Sequence, residues 1–379
     1  MKEIPRHIAK DILEELGKVH SKIIVIYGAR QVGKTTLVQH ILEESDIKFL
    51  KLNGDSISQR EMDILTGRDV ETFKQLLSGY GGVFLDEGQR IHNIGINLKI
   101  LYETLPELKI IVTGSSSLDL ANSIKEPLTG RTDTYHLHPI SYLELRSTMT
   151  PYELDKQLEC QLVYGGYPEI YSVQNASRKK KLLTSLAGDY LYKDVLEFEN
   201  ILHHYKLRNL LKLLAFQVGS EVSYHELGQQ LSLSHSTVVN YIDLLEKAFV
   251  IITLRGFSRN LRKEVTKKPK IYFCDLGIRN ALIGNFNDLK DRNDIGVLWE
   301  NFIVMERIKK NTYLNNFCDM YFWRTYTGAE LDYIEESSGT LHGYEFKWQK
   351  KGKVPKTWVE TYEGSYDCFN RNNYMSFIT

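Results

Sequence analysis

Short, continuous apolar runs separated by helix-length amphipathic stretches mark the first third of the chain. The runs are KIIVIY (22–27), KFLKLN (48–53), GVFLDE (82–87) and KIIVTG (109–114), and TTLVQHILEE follows the first of them. Runs of this length predict parallel strands buried on both faces of an α/β sheet. From about Pro151 to Glu199 the pattern turns helical, broken at Gly165-Gly166-Tyr167-Pro168. Residues 205–255 predict a short helix, a tight turn, a longer amphipathic helix and a strand. The remainder mixes strands and helices. The expected units are an α/β core (1–150), a helical lid (151–204), a winged helix-turn-helix (205–265) and a C-terminal α/β domain (266–379).

Composition sets bounds on this picture. With 379 residues the chain is too long for one ordinary core. Apolar residues make up 42% and charged residues 25%, as in water-soluble globular domains. No stretch approaches the roughly 18 apolar residues that span a bilayer, and the charged N-terminal segment lacks the apolar run of a signal peptide. A cytoplasmic location without membrane contact is the expectation. Cys160, Cys274, Cys318 and Cys368 are far apart, with no metal-binding or disulfide spacing. Net charge is zero, yet Arg255, Arg259, Arg262, Lys263, Lys267, Lys268 and Lys270 form a local basic run.

The strongest chemistry lies after the first strand. Gly28-Ala29-Arg30-Gln31-Val32-Gly33-Lys34-Thr35-Thr36 joins strand to helix. Its glycines let successive N–H groups face an anion at a helix N-terminus. Lys34 should reach the β- and γ-phosphates of ATP, and Thr35 should ligate Mg²⁺. Asp86 ends a buried strand and is a second Mg²⁺ ligand, and Glu87 is placed to polarise water as general base. Ser115, with Ser116 and Ser117 after it, is expected beside the γ-phosphate. Arg131 is a candidate to stabilise phosphate charge, in cis or from a neighbouring subunit.

GARQVGKTTL, FLDEGQRI, IIVTGSSS, LTGR with HPISYLEL, YGGYPE and YLYKDVL, in that order, resemble bacterial and archaeal AAA-type ATPases. Those proteins end in a C-terminal domain of unknown function with a restriction-endonuclease-like outline. The resemblance spans nearly the whole chain and implies an AAA-like P-loop NTPase core with Lys34, Thr35, Asp86 and Glu87 in the roles above. Gly88 departs from it, standing where such proteins usually carry an apolar residue.

In the 205–265 unit, Tyr224–Leu231 and His235–Ala248 predict a helix-turn-helix, with Val238, Tyr241, Ile242 and Leu245 inward and 249–254 as the strand of a wing. His235, Ser236, Thr237 and Asn240 would face DNA bases, and the basic run would face phosphates. A docking module is the alternative reading.

The C-terminal unit holds a second set of carboxylates. With Ser338-Gly339 as a two-residue turn, Asp332 pairs opposite Glu345, and Lys347 shares their face. Two facing carboxylates call for a cation between them, and Glu300 on a helix is a further candidate ligand. The D…ExK spacing resembles PD-(D/E)xK nucleases, which implies metal binding by Asp332 and Glu345 and water activation by Lys347. An amphipathic strand with solvated charges explains the same residues. The two functional expectations are an ATP-driven enzyme acting on DNA with a Mg²⁺-dependent nuclease-like domain, and an ATP-dependent switch or scaffold. A protein unfoldase ranks below both, and oligomerisation is left open.

Overall fold

Strand β1 (Ile23–Tyr27) is buried along its whole length because both of its faces are covered. Ile24 and Ile26 join a core with α1 (Ala9–Leu16) and α2 (Lys34–Glu44), while Ile23, Val25 and Tyr27 face the opposite core. That second core is closed by α3 (Gln59–Thr66), α4 (Val70–Leu76) and α5 (Ile94–Thr104). With β2 (Phe49–Asn53), β3 (Gly82–Asp86), β4 (Lys109–Gly114) and β5 (Thr132–His136), it forms a parallel sheet of order β2-β3-β4-β1-β5. The expected α/β core is therefore present. The computed structural model describes residues 4–115, 128–190, 204–259, 268–325, 328–349 and 352–379.

A capping box at Ser141 opens the one-turn α6 (Tyr142–Leu145), and a second at Thr150, with Pro151 at the first helical position, opens α7 (Pro151–Tyr164). The chain then breaks at Gly165, whose φ is +71°, before α8 (Pro168–Ser172) and α9 (Ala176–Ser185). A Cβ on Gly165 would lie 2.1 Å from the Asp275 carboxylate, and Asp275 accepts the Gly166 N–H at 2.7 Å. Glycine is required there because the Asp275 side chain, distant in sequence, fills the space.

Helices α10 (His204–Phe216), α11 (Tyr224–Leu231) and α12 (His235–Lys247) follow, with Ser232 in the left-handed region at the turn. Val238, Tyr241, Ile242, Leu244 and Leu245 are buried, so the expected inward face of α12 is observed. Next, β6 (Ile251–Gly256) pairs antiparallel with β7 (Lys270–Phe273) and parallel with β8 (Asp319–Arg324). With β9 (Glu330–Ser337), β10 (Thr340–Phe346) and β11 (Ser365–Phe369), they form a six-stranded sheet, β11-β10-β9-β8-β6-β7. The position near 265 expected to separate two units thus lies between two paired strands of one sheet. Helices α13 (Leu276–Ile283), α14 (Ile295–Tyr313), α15 (Lys356–Tyr362) and α16 (Met375–Ile378) complete the C-terminal region.

The β9–β10 hairpin has the expected register, from Ser337 opposite Thr340 to Tyr333 opposite Tyr344. Both turn residues, Ser338 and Gly339, have positive φ, as a tight two-residue turn between twisted strands demands. Among the described residues, no helix is long and apolar enough to cross a membrane.

Candidate nucleotide site

The loop Gly28–Gly33 leaves β1, an interior strand, at its carboxyl end, where an open α/β sheet presents ligand sites. A Cβ on Gly28 would sit 2.3 Å from the Leu137 carbonyl oxygen, so only glycine lets β5's exit pass this closely. Gly33, at φ +95°, turns the chain into α2. Ala29 and Val32 are buried and anchor the loop, while Gln31 and Thr36 are exposed and Arg30 is half-buried. Lys34 is 5% exposed, and its ammonium donates to the carbonyls of Gly28 (2.9 Å) and Ala29 (3.1 Å). The loop thus folds around its own cation, leaving α2's first N–H groups to face an anion.

Asp86 ends β3 and is buried. It accepts from the Thr35 hydroxyl at 2.9 Å, from the Thr113 hydroxyl, and from Asn53 Nδ2 at 3.3 Å. The ends of three adjacent strands therefore hold one carboxylate against the loop helix. Thr35 and Asp86 are hard oxygen donors suited to Mg²⁺. Glu87 follows in the left-handed region, φ 50°, and accepts from Gln89 Nε2 at 2.5 Å. The same nitrogen reaches Ser115 Oγ at 3.0 Å, while Gln89 Oε1 is buried with no partner among the described residues. Ser115 follows β4 and is buried, whereas Ser116 and Ser117 lie outside the described residues. Gln89, Thr113 and Asn53 were missed; their only signal is position, one residue beyond Gly88 or at a strand end.

Arg6 was also missed. Its guanidinium, 10% exposed, donates to Glu144 Oε1 (2.9 Å), to the loop carbonyl of Val32 (2.8 Å) and to the His138 carbonyl (2.5 Å). Its fourth acceptor is the Tyr313 hydroxyl at 3.5 Å, and that oxygen also accepts the His138 N–H at 3.1 Å. Tyr313 is the last residue of α14, so the phosphate loop is tied to the C-terminal region. Glu306, about two turns back along α14, reinforces the tie by accepting the Tyr142 N–H at 2.6 Å.

Arg131 corrects an expectation. The Ile23 N–H donates to the Arg131 carbonyl, so Arg131 stands at the start of β5, by the amino end of β1. The loop lies at the other end, roughly 15 Å away at ~3.3 Å per residue, and Arg131 pairs with Glu103 at 2.8 Å. In a parallel sheet this strand direction rules out contact in cis.

The C-terminal carboxylates also differ from expectation. Asp332 is buried, but its Oδ2 accepts the Phe346 N–H at 2.7 Å. Glu345 turns instead to Lys347 (2.9 Å) and the Tyr366 hydroxyl (2.5 Å). Glu300 does come to Asp332, with a lysine between them. Lys270 Nζ, 3% exposed, is 3.2 Å from Glu300, 2.8 Å from Glu330 and 3.9 Å from Asp332. Burial opposes the Lys270 charge, but Glu300, Asp332 and Glu330 outweigh it and push its pKa up. Burial, then Glu300, pushes the Asp332 carboxyl up to about 7 against the pull of Lys270. Asp332, Glu345 and Glu300 therefore do not form the metal cradle expected of them: an ammonium already supplies the cation. Burial lowers the Lys347 pKa, but Asp332 and Glu345 raise it more.

The same lysine thins the basic run read as a wing. Lys270 is internal and Lys268 pairs with Glu226 at 3.0 Å, while Arg259 lies over the Tyr362 ring. Arg255 is exposed, and Arg262, Lys263 and Lys267 lie outside the described residues.

Residues 20–146, the stretch that holds the phosphate loop and Asp86, match an AAA domain. Residues 155–289 match a domain of unknown function (DUF8612), and 295–365 match another (DUF4143). The chain is 27% identical over 332 residues to an uncharacterized protein of Mycobacterium tuberculosis, covering 86% of this chain and 70% of that protein. It is 25% identical over 348 residues to an uncharacterized protein of Methanocaldococcus jannaschii, covering 86% and 74%. Among solved structures, replication initiator DnaA bound to AMPPCP and single-stranded DNA is 18% identical, with 63% of this chain and 86% of that chain covered and a TM-score of 0.31. The Thermotoga maritima RuvB Holliday junction branch migration motor is 19% identical, with 70% and 96% covered and a TM-score of 0.34. At these scores neither likeness bears on function.

Proposed function

We propose that the chain is a Mg²⁺-dependent ATPase acting as a nucleotide-driven switch, whose helix-turn-helix and C-terminal sheet bind partners. The observation carrying this reading is the loop built around Lys34, bonded through Arg6 to the end of α14. Lys34 and the first N–H groups of α2 would hold the β- and γ-phosphates, and Thr35 and Asp86 would hold Mg²⁺, whose charge would offset that of the phosphate oxygens. Glu87 takes the proton from a water that attacks the γ-phosphorus, and the bond to the β,γ-bridging oxygen breaks. Gln89 fixes the Glu87 carboxylate against Ser115. The test is a pair of variants. Lys34→Ala should abolish ATP binding by calorimetry. Glu87→Gln should retain binding and lose roughly 10²–10⁴-fold in hydrolysis. A Glu87→Gln protein hydrolysing at the parental rate would refute the assignment.

A Mg²⁺-dependent nuclease is not part of this proposal, because Lys270 takes the place between Glu300 and Asp332 that an ion would need. DNA contact is a second reading, favoured by the exposed start of α12 at His235, Ser236 and Asn240. It predicts duplex binding whose salt dependence weakens in Arg255→Ala/Arg259→Ala; binding absent at every salt concentration would leave a protein-docking module.

A further inference from the structure

Strand β5 closes one side of the parallel sheet and pairs only with β1 among the described residues. The Arg131 carbonyl and the Leu137 N–H both bond to β1. Backbone groups alternate sides along a strand, so Thr132 and Thr134 turn theirs away from β1, toward the open edge. A groove of about 880 Å³ runs along that edge, walled on its far side by α1, the loop after α14 and the β9–β10 turn.

The groove is acidic. Asp11, Glu14, Glu15, Asp133, Asp319 and Glu336 line it, against one lysine, Lys18, already bonded to Glu15 at 2.5 Å. Burial first, then Asp133, Asp11 and Glu15, raise the pKa of Tyr135 on β5. At the rim Phe317 is 87% exposed, an apolar surface beside the charges. Asn311, 6% exposed, also lines the groove, and its Oδ1 has no partner among the described residues.

We infer that this groove takes an extended, lysine- or arginine-bearing segment of a partner protein, added as a sixth strand along β5. Five residues of β5 give an edge of about 17 Å, enough for a segment of five or six residues. Main-chain hydrogen bonds to Thr132 and Thr134 supply register. Alternate cationic side chains meet the carboxylates, and an apolar residue covers Phe317. A nucleic acid fits poorly, because its phosphates would face six carboxylates.

The test uses the full chain and fluorescein-labelled Lys-Val-Lys-Val-Lys-Val, followed by anisotropy. Saturable binding that weakens with salt is expected, with no binding of the Glu-Val-Glu-Val-Glu-Val peptide. Glu14 and Asp319 are exposed, so Glu14→Lys/Asp319→Lys should fold with the parental circular dichroism spectrum and bind about tenfold more weakly. Methylating the N–H groups along one edge of the probe should weaken binding in proportion to the hydrogen bonds removed. Unchanged affinity in the charge-reversed protein would overturn the site, and unchanged affinity of the methylated probe would overturn strand addition. Self-association in sedimentation that Glu14→Lys/Asp319→Lys abolishes would identify the occupant as a second copy and overturn the partner assignment.

Discussion

Replacing Arg6 with methionine keeps most of the side-chain volume and removes the cation that joins four parts of the fold. The Glu144 side chain is fully buried, and removing one partner of a buried pair costs about 3–5 kcal/mol. Glu144 keeps the N–H donors of His7 (3.1 Å) and Ser141 (2.9 Å), and the Ser141 hydroxyl at 3.0 Å, which argues for the low end. At ~2–4 °C per kcal/mol for a domain of this size, about 3 kcal/mol lowers the melting temperature by roughly 6–12 °C. The Val32 carbonyl also loses its donor, so the loop is less ordered and ATP affinity should fall. Thermal melting without nucleotide, followed by tryptophan fluorescence, gives the first quantity and calorimetry the second. Arg6→Lys, with one nitrogen for four acceptors, should fall between the two. An Arg6→Met protein melting within ~2 °C of the parent, with parental ATP affinity, would refute the reasoning.

Gln89→Ala should leave ATP affinity unchanged and slow turnover, because Glu87 loses the donor that orients it; a parental steady-state rate would show that Glu87 needs no such support. Lys270→Ala leaves three carboxylates facing one another, so Mn²⁺ should raise the melting temperature of this variant and not of the parent; a shift of the same size in both would mean that the cluster takes the ion despite its lysine. Asp332 has a folded-state pKa raised to about 7, so the folded state loses stability as pH climbs from about 4, the ordinary carboxylate range, through 7. Asp332→Asn should flatten that slope and melt higher than the parent at pH 8, with the gap closing at pH 5.5; parallel pH profiles would contradict this.

Local patterns carried the nucleotide loop, since strand, turn and helix there are set by neighbouring residues. The β9–β10 register was legible for the same reason: a two-residue turn leaves one way to align the strands that follow. What escaped depended on contacts distant in sequence. Arg6 reads as one more charge in a polar segment until residues 32, 138, 144 and 313 converge on it. Lys270 sits in a run of cations, and such runs are normally solvated; its burial is decided by Glu300, Glu330 and Asp332, which come 30 or more residues later. Arg131 was misplaced because a motif names residues without saying at which end of a parallel strand they fall.

The pairing of β6 with both β7 and β8 has a practical side for anyone dividing this chain. A fragment beginning after residue 265 would keep β7 but lose β6, stripping β8 of its neighbour and separating Lys270 from the strand that holds it in place. The exposed row of N–H and C=O groups along β8 would then be free to recruit other chains, the usual origin of insoluble protein. Heredity faces the same constraint as the laboratory. A recombination point between these two units would break a sheet, so the helix-turn-helix and the region after it should travel through genomes together.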